Sequence, residues 1–125
     1  MISILYVAAG GALGAVCRHG VNVGVASLLK QPTHYGTLTA NVLGCLIMGA
    51  LVALFARYGN PSQEVRLLLT VGFLGAFTTF STFSLETVNM FTRGDTYGAA
   101  VYVFASVILS VSAVMLGSFL VWKVG

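Results

Sequence analysis

The run GFLGAFTTFSTFSLE, residues 72–86, lies inside an apolar segment long enough to cross a bilayer, yet it sets Thr78, Thr79, Ser81, Thr82 and Ser84 among Phe77, Phe80 and Phe83. Hydroxyl groups at membrane depth cost free energy unless they face protein or a water-filled cavity. Phe77, Phe80 and Phe83 recur at every third position, so on a helix they form a slowly drifting stripe flanked by hydroxyls. Gly72 and Gly75 weaken the helix just ahead of β-branched threonines that weaken it further. This pattern predicts a helix interrupted near Gly75 to Thr79. Carbonyls freed by such a break are tolerated in a membrane where they bind an ion or line a path. The plainer alternative is a tight aromatic core whose hydroxyls bond back to the preceding turn.

Working outward, the 125-residue chain is 58% hydrophobic and only 7% charged, with a mean hydropathy of +0.96. A soluble domain carries about 25% charged residues, so this composition predicts a membrane protein. Fifteen glycines suit membrane helices that approach closely through small residues. The net charge of +3 is dispersed, with no basic run and no aromatic platform, which argues against nucleic-acid binding. Cys17 and Cys45 lack metal or redox spacing and read as small buried thiols. No basic leader or cleavage site accompanies the first apolar segment, which is therefore expected to stay as a span.

Four apolar segments, near 3–29, 36–58, 66–91 and 97–122, each approach or exceed the roughly 20 residues that cross the hydrocarbon core. Short polar loops at 30–34, 59–63 and 93–96 separate them. Ser62 fits a helix start and Gly94 a helix end. One domain over residues 1–125 is expected. With four spans, both termini share a side with the second loop. That side carries Arg57, Arg66 and Lys123, against Lys30 and Arg93 opposite. Lys/Arg bias sets orientation, and so slight a bias gives the insertion machinery little to choose by. Four helices also pack into a filled bundle with little room for a polar path. Together these features suggest a homodimer of oppositely inserted copies, related by a two-fold axis in the membrane plane.

Polar residues inside the spans are the candidates for function. Arg18 follows Gly10 and Gly14, which share a helix face. It either faces a cavity or partner, or snorkels to the headgroups. Asn41 offers amide donors to an anion or joins neighbouring helices. Tyr102, Ser106 and Ser110 repeat every fourth residue and form a polar track. Glu86 reads either as part of a path or as a paired carboxylate near the helix end. His19 and His34 lack companion ligands. Ala40, Gly44 and Gly49 provide a small face for approach to the third segment.

Three pieces, GGALGAVCR (10–18), GTLTANVLG (36–44) and GFLGAFTTFSTFSLE (72–86), in this order across four short spans, resemble the Fluc/CrcB family of fluoride channels. The resemblance covers essentially the whole chain, and the TTFSTF core carries most of its specificity. It implies an all-α membrane fold with a broken third helix, in an antiparallel dual-topology homodimer with two fluoride pores. It further implies a structural sodium ion (Na+) at the dimer centre, held by the carbonyls of Gly75 and Thr78 from both copies. Phe80 and Phe83 would be pore aromatics, and Asn41 and Ser81 polar groups of the anion path. Thr82, Glu86, Tyr102, Ser106 and Ser110 would line its polar side, with Arg18 near the vestibule. Function in a bacterial inner membrane is implied as well. His19 and Cys45 depart from the family's pattern and are expected to lie outside the pore.

Two other classes fit less well. A small four-span proton-coupled exporter needs a membrane carboxylate, usually early in the chain, where this sequence has Arg18 and no acid. An intramembrane hydrolase using Ser81 or Ser84 has only His19 and His34 as bases, with no orienting acid nearby.

Overall fold

The computed structural model describes residues 2–30 and 34–125. It is all-helical among these residues, with four stretches long and apolar enough to cross a membrane. The first two are continuous helices, α1 (Ile2–Leu29) and α2 (His34–Tyr58). The third is composite. It begins with α3 (Gln63–Arg66), widens into a π-helical stretch, Leu67–Leu74, and returns to α4 (Gly75–Phe77). Thr78 is extended at φ −90° and ψ 158°, and α5 (Ser81–Thr92) resumes the helix. The fourth, α6 (Thr96–Val124), is continuous.

Local chemistry explains the ends. Ser62 accepts the Val65 N–H at 3.3 Å and caps α3, as its position predicts. Gly94 stops α5 at φ +89°, a conformation that glycine adopts without a Cβ penalty. Asp95 then caps α6 by accepting the Gly98 N–H at 2.9 Å. His34, expected in the first loop, is the first residue of α2, and its ring lies 5.2 Å from that of Tyr102, edge to face. The rest of that loop, residues 31–33, lies outside the described residues.

The contacts give the topology. Arg18 reaches Ala76 and Thr82, while Gly10 meets Leu68 and Gly72, so α1 and the third stretch ascend together. Asn41 bonds Thr79 and Thr37 bonds Glu86, so α2 runs against that stretch. Arg57, at the end of α2, donates to the carbonyls of Val121 and Trp122 near the end of α6, making these two parallel. Four alternating spans follow, with α1 against the π-helical stretch and α2 against α6 as the main pairs.

Glycine makes both pairs close. A methyl group at Gly14 would strike the backbone of Phe73, and one at Gly72 the backbone of Val7. Gly10 and Gly14 thus form the close-approach face that their spacing suggests. Gly72 and Gly75 are themselves helical, and the extended residue is Thr78; Gly72 serves packing rather than helix breaking. Gly49 lies against Val114 of α6 and not against the third stretch, whereas Gly44 does meet Thr78 and Phe77.

Candidate functional site

Where helical geometry lapses, backbone donors lose their usual partners, and Asn41 takes one of them. Its Oδ1 accepts the Thr79 N–H at 2.7 Å and its Nδ2 donates to the Thr79 carbonyl at 3.0 Å. In an unbroken α-helix that N–H would bond the Gly75 carbonyl. Likewise the Thr82 N–H, the regular partner of the Thr78 carbonyl, goes to Thr79 Oγ1 at 3.2 Å. The carbonyls of Gly75 and Thr78 are thereby relieved of their regular donors. Their oxygens are hard ligands of the kind an alkali or alkaline-earth cation accepts, so the residues present fit a backbone-held cation. Among the described residues no group of His, Cys, Asp or Glu could hold a metal ion by side chains.

The hydroxyl cluster divides by role. Thr78 and Ser84 bond back to the carbonyls of Leu74 and Phe80, at 3.0 and 2.9 Å, as the plainer alternative expects. Thr79 instead caps the next helix, and its Oγ1 lies 3.4 Å from Ser81 Oγ. Thr82 faces α1, where its Oγ1 accepts from Arg18 Nη1 at 3.4 Å while Arg18 Nε donates to the Ala76 carbonyl at 3.1 Å. Arg18 therefore braces the third stretch.

Beside this junction, α2, the third stretch and α6 border an open cleft of about 280 Å³. Asn41, Thr79, Phe80, Phe83, Ser106 and Ser110 border it, with Cys45 one turn along α2 from Asn41. Among the described residues no charged side chain borders it. Asn41 has a second amide N–H beyond the one given to Thr79. Ser106 is buried, at 6% exposure, and its hydroxyl has no hydrogen-bond partner among the described residues. A buried hydroxyl left without a partner costs stability. Phe80 and Phe83 stand 5.5 Å apart between ring centroids, Phe83 buried and Phe80 78% exposed.

Glu86 and Tyr102 lie beyond Phe83. Tyr102 Oη donates to Glu86 Oε1 at 2.8 Å and Thr37 Oγ1 to Oε2 at 3.1 Å. The Tyr102 ring packs 5.1 Å from that of Phe83, at the edge of the cleft. Of the residues singled out in the sequence, Asn41, Phe80, Phe83, Ser106 and Ser110 thus meet at one cleft. Ser81 lies exposed beside it, Glu86 and Tyr102 form a neighbouring group, and Arg18 and Thr82 lie on the α1 side. Thr79 and Thr37 were not singled out for roles. Thr37 had a signal, since it shares a helix face with Asn41 four residues on. Cys45 borders the cleft, against expectation, and Cys17 is exposed rather than buried.

The family profile described as CrcB-like protein, Camphor Resistance (CrcB), matches residues 5–118. This chain belongs to the CrcB family. Relatives in that family include the fluoride-specific ion channel FluC of Rhizobium leguminosarum bv. trifolii, 47% identical over 94% of each chain. The protein of the same name from Dehalococcoides mccartyi is 45% identical over 96% of this chain and 92% of its own. FluC 1 of Nitrobacter hamburgensis, also named a fluoride-specific ion channel, is 46% identical over 91% and 90%. In this CrcB chain the TTFSTF residues sit at the helix lapse and at the cleft, where an uncharged set of donors meets two aromatic rings.

Asn41→Asp should test the junction and the cleft together. Aspartate cannot donate to the Thr79 carbonyl, and its charge would repel an anion, so anion flux should fall about ten-fold or more, as for a barrier raised by about 1.4 kcal/mol or more. Efflux from liposomes, set against the elution volume of the purified protein, checks this.

Proposed function

We propose that residues 1–125 form one channel domain that lets fluoride leave the cytoplasm passively across a bacterial inner membrane. Two oppositely inserted copies pair, the third helix of each is broken at the dimer centre, and two pores result. The observation that carries the reading is the uncharged cleft in which Asn41, Ser106 and Ser110 offer donors beside Phe80 and Phe83. Fluoride is small and strongly hydrated, and shedding its water requires close donors. Amide and hydroxyl hydrogens supply them without the trapping that a buried cation would cause, and conduction needs exit as well as entry. The positive edge of each aromatic ring adds attraction without charge. Ser81, Thr82, Glu86, Tyr102 and Arg18 complete the polar side and the vestibule. The named function of the relatives supports the same choice of ion.

The deciding experiment compares fluoride and chloride efflux from liposomes carrying the purified protein. Fluoride should leave rapidly without any proton gradient, and chloride should stay. Equal flux of both ions, or a requirement for a proton gradient, would overturn the reading.

A sodium ion at the dimer centre, held by the Gly75 and Thr78 carbonyls of both copies, follows from the same proposal. Among the described residues a methyl group at Gly75 would meet only Thr70 O, at 3.7 Å. Damage from a bulky residue there therefore reports on a partner copy. Gly75→Leu should leave each chain helical and shift it from dimer to monomer in detergent, whereas Thr78→Val keeps the backbone and should remain dimeric. A dimeric Gly75→Leu protein would remove Gly75 from the interface.

A further inference from the structure

We propose that a groove along the seam of α2 and α6 holds one acyl chain of an anionic phospholipid, whose headgroup phosphate lies at Arg57 and Tyr58. The inference goes beyond the fluoride reading and does not depend on the cleft being the ion path. It needs only that the four apolar helices lie in a bilayer. The groove, of about 630 Å³, runs from Leu46 and Gly117 to Tyr58, Val124 and Gly125. From Leu46 to Tyr58 the helix rises about 18 Å, close to the roughly 15 Å of hydrocarbon in one leaflet. Ile47, Leu54, Leu120 and Val124 line the groove and are exposed in the single chain. A second copy seated at the cleft does not cover them. At about 3.6 residues per turn, Ala50 and Leu54 leave α2 on the side opposite Asn41, which borders the cleft.

The chemistry at the groove's end selects the lipid. Arg57 Nη1 donates to the carbonyls of Val121 and Trp122 at 2.8 and 3.2 Å, and its guanidinium lies 5.3 Å from the Tyr58 ring. A methyl group at Gly125 would strike both the Arg57 guanidinium and the Tyr58 hydroxyl, so these two groups converge where the groove ends. A guanidinium has five N–H donors in a fork that matches phosphate, and the phenol adds an O–H. The positive charge complements a lipid of net negative charge, whereas a zwitterionic lipid carries its own ammonium to the same place.

The test is native mass spectrometry of the purified protein in detergent with equimolar phosphatidylglycerol and phosphatidylcholine of the same acyl chains. Adducts with phosphatidylglycerol should exceed those with phosphatidylcholine about five-fold. Arg57→Gln should bring the ratio to about one, and Arg57→Lys, which keeps the charge, should retain the preference. Leu54→Trp, at an exposed position, fills the groove and leaves Arg57 in place, so phosphatidylglycerol adducts should fall although the charge remains. Equal adducts of the two lipids on the parent would overturn the inference, as would a preference unchanged in Arg57→Gln or adducts unchanged in Leu54→Trp. Displacement of phosphatidylglycerol by soluble glycerol phosphate would show that the anion alone is bound, and absence of both adducts on the parent would show a groove covered by a second copy. Either result overturns the lipid site and leaves the channel reading untouched.

Discussion

Replacing Phe80 or Phe83 by isoleucine should lower fluoride flux about a hundred-fold or more while the dimer remains folded, a rise of about 2.7 kcal/mol in the barrier. The two rings differ in what they do for the single chain. Phe80 is 78% exposed, so its substitution costs the fold of one copy little. A flux defect from Phe80→Ile therefore reports on the path. Phe83 is buried between Phe80 and Tyr102, with centroids 5.5 and 5.1 Å away. Phe83→Ile removes volume as well as the ring edge, so some loss of stability accompanies it, on the order of 1 kcal/mol. Isoleucine keeps an apolar wall. What it removes is the positive edge that a partly dehydrated anion meets, together with the rigidity that narrows the passage. Efflux measured beside the elution volume separates the two effects. If both variants pass fluoride at the parent rate, the rings are packing and the path runs along another face.

The same rings show how much of the site was legible. Four spans were visible within two to three residues at each end, because length and apolarity alone define them. Ser62 and Gly94 marked helix ends through capping chemistry that acts locally. Which face of each helix points inward was harder to read. In a soluble protein the apolar stripe shows it, whereas in lipid every face is apolar and only small or polar residues mark the contacts. Gly10 and Gly14 were read correctly on that basis. Gly49 was assigned to the wrong neighbour, since α6 and the third stretch ask for the same small residue.

The Asn41–Thr79 clamp lay deeper still. In the sequence Asn41 reads either as an anion donor or as a link between helices, but one amide has donors enough for both. The π-helical stretch Leu67–Leu74 left no signal in its residues, which are ordinary apolar membrane residues around Thr70 and Gly72. The stretch packs on α1 through Gly72 and Phe73, a tertiary contact that no local pattern records.

The largest effect should come from charge far from the cleft. Lysine at Asn60 and Gln63, both exposed and on the side of the chain ends, raises that side from three basic residues to five against two. An added lysine near the membrane contributes about 1 kcal/mol to orientation, enough to turn a near-even choice into a strong preference. If the working unit is two oppositely inserted copies, a population facing one way has no partner, and flux should fall to the level of empty liposomes. The single chain gives a structural reason for so steep a loss: its cleft is open beside the exposed Phe80, and one copy does not close the wall. Thr92→Lys with Tyr97→Lys, on exposed positions of the opposite side, should also be silent alone for the same reason. Expressed together, the two oppositely biased chains should restore flux, which neither a folding defect nor a damaged cleft would allow. Retained flux from either biased chain alone would show that copies facing one way suffice, and the antiparallel dimer would have to be given up.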